Sequence, residues 1–194
     1  MARIYVADHI TLDGVMQAPG RVDEDTRGGF TQGGWAVARS DQDVAAALQD
    51  RVERAGGMRL LLGRRSYDDM LAHWNAAGGP FRDGLNEAQK YVATRSASTA
   101  LRWPHSTLLT GDVPAEVARL KNADGADLCI MGSGELIQTL MAHRLIDELL
   151  LFVHPIVLGS GRRLFPDGGF GTELELLSGS TTPRGVMIVN YAAV

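Results

Sequence analysis

The sequence has a single cysteine, only two lysines, and no apolar segment long enough to cross a membrane. Cys129 stands alone, which excludes an intramolecular disulfide and a metal site built from several cysteines, and we expect no bound metal. The apolar run at residues 149–153 is far shorter than the roughly 20 residues that a membrane-spanning helix needs. The N-terminus shows neither the charged and apolar regions nor the cleavage site of a secretion signal. We therefore expect a cytoplasmic protein without membrane association.

Positive charge is scarce as well. Lysine and arginine together number 19 against 23 acidic residues, which gives a formal charge of -4 and a pI of about 5.7. Without a basic surplus the chain cannot neutralise a phosphate backbone, so we expect a small-molecule substrate and no nucleic-acid partner. Apart from Lys90 and Lys121 the cations are all arginines, whose planar guanidinium suits phosphate contacts. Codon bias explains this preference equally well.

The rest of the composition is that of an ordinary globular protein, with 45% hydrophobic and 22% charged residues over 194 positions. Such a chain is long enough to bury a core unaided, and it predicts one domain across residues 1–194. Short apolar runs alternate with amphipathic segments, which predicts an α/β fold. Strands are predicted at residues 3–10, 58–62, 90–94, 107–109, 127–131, 147–158, 173–177 and 186–191. Helices are predicted at about residues 41–54, after a cap at Ser66, at 114–120, and after Gly134.

This alternation implies a three-layer sandwich. Its central sheet of about eight strands is mainly parallel, and about four helices cover the two faces. The last third of the chain holds no convincing helix, so its strands are expected to form an antiparallel edge.

A long loop at residues 13–34 follows the first predicted strand and is rich in glycine and acidic residues. Loops of this length without secondary structure tend to be functional or mobile. We interpret it as a lid or as a wall of a substrate site. Asp25 and Trp35 are candidate substrate-binding residues, and Trp35 can alternatively fill the core.

Three turns follow predicted strands directly. In a parallel sheet, ligands bind beyond the carboxyl ends of the strands, where helix N-termini present free N–H groups to anions. The turn Gly132-Ser133-Gly134 lets a diphosphate approach the backbone, but a plain strand-to-helix connection accounts for it equally well. It is neither a Walker loop nor a GxGxxG motif, whose third glycine would fall at Ile137. The candidate cofactor-binding residues are Gly63, Arg64, Arg65 and Ser66, then Thr94, Arg95 and Ser96, and finally Met131, Gly132, Ser133, Gly134, Glu135 and Leu136.

The arginines of these turns indicate which nucleotide would bind. Arg64, Arg65 and Arg95 stand next to hydroxyl side chains, and together they could grip a 2′-phosphate. That favours NADPH over NADH, which prefers an acidic residue at its ribose. Any one of these arginines taken alone can be an ordinary solvated side chain.

Five segments spread along the chain carry a family resemblance. They are TLDGVM (11–16), LLGRRSYDDM (61–70), YVATRS (91–96), IMGSGELI (130–137) and HPIVLGSGRRLF (154–165). In this order they resemble the dihydrofolate reductase-like superfamily, and within it the reductase domain of riboflavin biosynthesis and its stand-alone relatives. The resemblance implies that fold and NADPH as cofactor. The turns at residues 63–66 and 94–96 would bind the adenosine phosphate, and residues 131–136 the diphosphate and nicotinamide. It also implies a homodimer, because many relatives pair.

The sequence departs from relatives at two places. The carboxylate that anchors the pterin in true dihydrofolate reductases has no clear counterpart among residues 44–54, so that activity is not expected. The chain also lacks the HxE and paired-cysteine motifs of the zinc deaminase that is often fused to the riboflavin enzyme. Asp13 is the candidate catalytic residue, as a proton donor or an orienting group, although an aspartate before glycine is more often a turn former. His154 before Pro155 is interpreted as structural.

Together these features predict an NADPH-dependent reductase. It would transfer hydride to a small heterocyclic substrate that resembles a pteridine or a ribosylaminopyrimidine. The alternative is a non-enzymatic NADP(H)-binding module on the same fold.

Overall fold

A central sheet organises the protein, and the computed structural model describes residues 1–123 and 125–194. Within those residues the sheet has eight strands, in the spatial order β4-β3-β2-β5-β1-β6-β8-β7. The first six strands are mutually parallel, and β8 and β7 continue the sheet antiparallel. The strands are β1 (Ile4–Thr11), β2 (Arg59–Gly63), β3 (Gln89–Ala93), β4 (Ser106–Leu109), β5 (Leu128–Ile130), β6 (Glu148–His154), β7 (Leu174–Thr181) and β8 (Met187–Ala193). The predicted parallel sheet with an antiparallel edge is confirmed.

Helices cover both faces of the sheet. The part of the chain that the structure describes contains α1 (Gln42–Arg54), α2 (Arg64–Ala77), α3 (Pro80–Glu87), α4 (Val113–Asn122) and α5 (Gly134–Ala142). Buried side chains of α1, α2 and α3 pack in one apolar cluster, and those of α4 and α5 pack in another. Successive side chains of β1 point to opposite faces of the sheet and so contribute to both clusters. Tyr5 and Ala7 lie in the first cluster, and Ile4 and Val6 lie in the second. The three-layer sandwich is thereby confirmed.

Two details of the helix prediction differ from the structure. Helix α3 was not among the predicted helices, because Gly78-Gly79-Pro80 is typical of a loop, but Pro80 begins a helix, where its fixed φ and missing N–H are tolerated. The helix count is therefore five rather than about four. Helix α2 begins at Arg64 with Gly63 as its cap, so Ser66 lies in the first turn and does not cap it. Strand β2 leads directly into the helix, so the predicted β2 turn, residues 63–66, consists of the strand end and the first turn of α2.

The C-terminal strands also differ in extent. Strand β6 ends at His154 rather than at residue 158, because Pro155 cannot donate to the sheet ladder. Strand β7 runs to Thr181, and all eight of its residues are exposed. One edge of the sheet is therefore open to solvent on both faces.

A buried ion cluster lies at the amino end of the strands. The guanidinium of Arg51, in α1, donates to Glu148 of β6 at 3.0 Å and to Asp127 at 3.1 Å. It also stacks over the Tyr5 ring, 3.8 Å from the centroid. Arg3 pairs with Glu148 at 2.5 Å. These contacts fix α1 against the sheet at the edge opposite the three predicted turns.

The connections diverge between β1 and β5, which are neighbours in the sheet. Helix α1 follows β1 on one face, and α5 follows β5 on the other. Such a point of divergence leaves a crevice beyond the carboxyl ends of the two strands, where open α/β sheets bind their ligands. No helix among the described residues is both long enough and apolar enough to span a membrane.

Candidate active site

The three predicted turns lie side by side at the carboxyl edge of the sheet. They follow β3, β2 and β5, which are consecutive in the sheet, and β1 comes next. Neighbouring strands are about 4.8 Å apart, so the row from β3 to β1 spans roughly 14 Å. The structure thus brings together residues that lie far apart in the sequence.

The turn after β2 is bonded to the turn after β5. The backbone N–H of Gly63 donates to Ser133 Oγ at 2.8 Å. Gly132 has a φ of 62°, and a Cβ at that position would lie 3.3 Å from Ser66 Oγ. Ser133 also has a positive φ, 63°, and precedes the first residue of α5. This left-handed pair of residues turns the strand sharply into the helix and presents the helix N-terminus at the crevice.

Gly134 brings the long loop against this turn. A Cβ on Gly134 would lie 2.7 Å from the Met16 sulfur, which is closer than real Cβ atoms approach. The loop therefore packs on the glycine turn, and any larger residue at position 134 must displace Met16.

The turn after β3 is connected to the same helix by charge. The backbone N–H of Ser96 donates to Thr94 Oγ1 at 3.2 Å, which fixes a local turn. Arg95 is 98% exposed, and its guanidinium lies 3.9 Å from the carboxylate of Glu135 in α5. Glu135 also pairs with Arg162 at 3.1 Å. Arg95 is therefore placed to meet a ligand at the rim of the row, but its neighbour there is acidic.

The two arginines of the β2 turn differ in their surroundings. Arg64 donates to the Asp68 carboxylate at 2.6 Å along α2, so its charge is already paired. Arg65 is exposed. Its charge contributes to lowering the pKa of Asp25, so the guanidinium lies near that carboxylate of the long loop.

Asp25 organises the loop through Arg27. Its carboxylate accepts from Arg27 Nε at 2.7 Å and pairs with the terminal nitrogen of the same guanidinium. This side-chain hydrogen bond is the main cause that lowers the pKa of Asp25. The carboxylate of Asp25 is thus charged, and its partner is Arg27 of the same loop.

Trp35 is buried beneath the loop. It packs with Val15 and Phe30, and its indole N–H donates to the Gln17 carbonyl at 2.8 Å. Its ring meets His154 edge-on, with centroids 5.3 Å apart. Trp35 therefore fills the core of the loop and supports the end of β6 from above.

Asp13 binds the loop to a second segment of the chain. Its carboxylate accepts from Thr11 Oγ1 at 2.6 Å and from the backbone N–H groups of Gly159 at 2.8 Å and Leu158 at 3.2 Å. The hydrogen bond from Thr11 is the largest cause that lowers the pKa of Asp13. A carboxylate held in its charged form by three donors is a poor proton donor, so these contacts favour the orienting role.

Further bonds join the same two segments, and we refer to residues 13–17 with 158–164 as the loop clasp. Met16 N–H donates to the Arg162 carbonyl at 2.9 Å, and Arg162 N–H donates to Gln17 Oε1 at 2.9 Å. Leu164 N–H donates to the Gly14 carbonyl at 3.0 Å. The base of the long loop is therefore fixed, and residues beyond Gln17 form its tip.

A histidine pair, missed by the sequence reasoning, lies beneath Trp35. His9 Nδ1 and His154 Nε2 are 2.9 Å apart, and His9 also packs on Phe152 with ring centroids 4.9 Å apart. Burial lowers the pKa of His9 to about 3 and that of His154 to about 4, so both rings are neutral at pH 7. His154 Nδ1 is buried with no hydrogen-bond partner among the described residues. The signal in the sequence was a histidine inside an otherwise apolar strand.

Asp8 was also missed. It is 4% exposed and lies in central strand β1. Its Oδ1 accepts from the His9 N–H at 3.0 Å, and its Oδ2 is buried without a partner among the described residues. Burial raises the pKa of Asp8 to about 8. Burying an acid in a central strand lowers the stability of the fold when no arginine or lysine among the described residues pairs with it.

These features define the class of protein. Dihydrofolate reductase from Enterococcus faecalis, complexed with NADP(H), has the same fold with a TM-score of 0.60 at 12% identity, over 98% of this chain and 94% of that one. A pyrimidine reductase-like protein from Corynebacterium diphtheriae gives a TM-score of 0.66 at 12% identity, over 100% of this chain and 92% of that one. At such identities the likeness shows the dihydrofolate reductase-like fold alone.

Family membership follows from sequence. The RibD C-terminal domain family matches residues 3–188, and the chain belongs to this family. It is also 30% identical to the protein YyaP of Bacillus subtilis (strain 168) over 195 residues, which cover 97% of this chain and 94% of YyaP. The predicted resemblance to the riboflavin reductase domain is thereby confirmed.

Proposed function

We propose that this protein is an NADPH-dependent reductase that transfers hydride to a small heterocycle of the pyrimidine or pteridine class. The observation that carries the proposal is the row of three turns at the carboxyl ends of β3, β2 and β5, of which the last two are joined by a hydrogen bond. The row ends in the crevice between β5 and β1. Family membership and the reductase-like folds support an oxidoreductase.

The charges along the row indicate how a bound nucleotide would be oriented. Arg65 and Arg95 lie at the β2 and β3 end, where cations would hold a 2′-phosphate. The N-terminus of α5 at Gly134 and the N–H groups of the left-handed turn suit the diphosphate. The nicotinamide then falls in the crevice beside Asp8. The residues present fit NADP(H), which supplies the hydride when bound.

The histidine pair lies at the ends of β1 and β6, on the other face of β1 from Asp8, and would form a second wall of the substrate site. Neutral His9 and His154 offer hydrogen-bonding nitrogens in a buried setting with Phe152 and Trp35. The edge of a neutral substrate ring with amide or amine groups suits this wall better than an anionic group does. Neither histidine is protonated at pH 7, so neither could pair with an anion. This favours a pyrimidine-like substrate, as does the pyrimidine reductase-like fold.

The test of cofactor choice is a tryptophan-fluorescence titration with NADPH and with NADH. We expect NADPH to bind at much lower concentration, and Arg95→Glu to remove the difference. Arg54→Glu is the matched control, because Arg54 is an exposed arginine at the far end of α1. Gly134→Val should abolish binding of both nucleotides by obstructing the turn. Equal affinities for NADPH and NADH in the wild type would contradict the assignment.

The test of catalysis is a steady-state screen of pyrimidines and pteridines with NADPH. Oxidation of NADPH that depends on the heterocycle supports the reductase. Saturable NADPH binding without turnover of any of them would support a binding module instead.

We also propose that the protein pairs as a homodimer through the open edge of the sheet. Strand β7 exposes Leu174, Leu176 and Leu177, and a long exposed apolar edge strand is a liability unless another chain covers it. Sedimentation velocity should show a dimer that Leu176→Asp dissociates. Val37→Asp, at an apolar residue exposed elsewhere, should leave the dimer intact; a monomeric wild type would refute the pairing.

A further inference from the structure

The crevice between β1 and β5 contains one acid that no structural role accounts for. In the parallel register Val6 pairs with Ile130, so two residues further along Asp8 stands opposite Gly132. The Gly132 backbone N–H lies close enough to the Asp8 carboxyl to lower its pKa. Asp8 thus lies against the left-handed turn, at the point where α1 and α5 diverge.

The carboxyl of Asp8 has an unused oxygen at this point. Its Oδ1 is occupied by the His9 N–H, while Oδ2 is buried with no partner within residues 1–123 and 125–194. A buried polar atom without a partner costs on the order of 1–3 kcal/mol, so a fold retains it where something else requires it. A ligand entering the crevice would supply the missing partner.

We propose that Asp8 is the proton donor of the reduction, with Oδ2 directed at the reacting nitrogen of the substrate. The inference rests on the proposed function. As the hydride bonds to the carbon of a C=N group, the π bond breaks and its electron pair takes the proton from Asp8. The substrate gains two electrons, the nicotinamide loses them and becomes cationic, and Asp8 is left as a carboxylate. Water restores the proton before the next turnover.

Other acids near the crevice are committed elsewhere. Asp13 holds the loop clasp in its charged form. Glu24 accepts from the backbone N–H groups of Gly20 at 2.7 Å and Arg21 at 3.0 Å. Asp41 accepts from the Val44 N–H with Oδ1 and caps α1, although its Oδ2, like that of Asp8, is buried without a partner among the described residues.

The surroundings of Asp8 keep its proton in place until it is needed. Burial is the main cause that raises the pKa of Asp8 to about 8, and the charge of Glu24 raises it further. The backbone N–H groups of His9 and Gly132 oppose this. The thiol of Cys129, whose pKa burial raises to about 12, stays uncharged near it, as does His9. Asp8 is therefore protonated at pH 7, and a cationic nicotinamide beside it would favour the carboxylate.

This coupling can be measured without knowing the substrate. NADP⁺ carries a cationic nicotinamide and NADPH a neutral one, while both share the same 2′-phosphate and diphosphate. We expect the ratio of the Kd for NADP⁺ to the Kd for NADPH to fall about tenfold between about pH 6 and about pH 9, because an adjacent opposite charge shifts a carboxyl pKa by one unit or more. Isothermal titration calorimetry across that range gives both constants. Titration of the shared phosphates cancels in the ratio.

Two variants identify the group responsible. Asp8→Asn, which replaces the protonated carboxyl with an amide of nearly the same shape, should flatten the ratio and leave NADPH binding in place. Glu24→Gln, whose amide oxygen can still accept from Gly20 and Arg21, should keep a pH-dependent ratio with its midpoint at lower pH, because the charge that raises the pKa of Asp8 is gone. Once a substrate is known, Asp8→Asn should lower kcat far more than it changes KM.

The outcomes separate the two proposals. Nucleotide binding with a pH-independent ratio in the wild type overturns the role of Asp8 and leaves the reductase standing. A dependence that persists in Asp8→Asn overturns it as well. Absence of saturable binding of either nucleotide contradicts the proposed function itself, and the inference with it.

Discussion

Two opposing contributions to stability meet at Ser133: the strain of its left-handed backbone and the hydrogen bond of its hydroxyl. Substitutions of Ser133 separate the two. Its φ of 63° and ψ of 43° place a non-glycine residue in the left-handed region, which costs about 1–2 kcal/mol. Its hydroxyl accepts from the Gly63 N–H at 2.8 Å, and leaving that half-buried donor unpaired costs about 1–3 kcal/mol. Ser133→Ala loses the bond and keeps the strain. Ser133→Gly also loses the bond but relieves the strain. The free energy gained by that relief is reduced by about 0.5–1 kcal/mol, because glycine has more freedom in the unfolded chain.

The two variants should therefore differ in a fixed order. Ser133→Ala is expected to lower the free energy of unfolding by about 1–2 kcal/mol, and Ser133→Gly by about 0.5–1 kcal/mol less than that. At roughly 2–4 °C per kcal/mol for a chain of this size, the Tm falls by several degrees in the alanine variant and less in the glycine variant. Thermal unfolding followed by circular dichroism, at one protein concentration, measures both. A glycine variant no more stable than the alanine variant would refute the strain, and an alanine variant with wild-type Tm would refute the bond.

Further predictions concern the buried charges and the histidines. Arg51→Met should destabilise the protein by about 3–5 kcal/mol, because it leaves buried carboxylates facing no guanidinium from α1. The double variant Arg51→Met with Glu148→Leu should recover part of that loss in urea denaturation; no recovery would argue against the ion cluster as the cause. Since burial lowers the pKa values of His9 and His154 below the 6.5 of an unfolded histidine, the unfolded chain binds more protons between about pH 4 and pH 6.5. Stability should therefore fall as the pH drops through that window, and His154→Phe should make the urea midpoint less dependent on pH.

The sequence predicted the parallel sheet and the row of turns because both depend on local patterns. An apolar run followed by a glycine or hydroxyl residue and an amphipathic segment is visible at Gly63 and at Gly132 without a structure. Helix α3 was not predicted because its eight residues follow a loop-like Gly-Gly and contain Gly84, so their helix propensity is low. The packing of the buried Leu85 stabilises the helix against that propensity. The single-domain organisation and the cytoplasmic location stay predictions.

The acid and the histidines of the crevice could not be assigned from local patterns. Asp8 and His9 are adjacent on β1 and face opposite sides of the sheet, so their roles depend on Gly132 and His154, which lie more than a hundred positions away. Asp13 and Asp25 were predicted as site residues because one follows the first strand and the other lies in the long loop that comes after it. In the structure their partners are backbone N–H groups and Arg27, which a sequence does not display.

The loop clasp has a consequence for how the chain is synthesised. Strands β1, β2, β3 and β5 and their turns have all emerged by residue 142, whereas the second half of the clasp ends at residue 164. A nascent chain of intermediate length would thus have the row of turns but no anchor for the long loop. It would also leave β1 as an uncovered apolar edge until β6 arrives, a stage at which aggregation is a hazard. Vectorial synthesis therefore completes the row of turns before the long loop can be anchored.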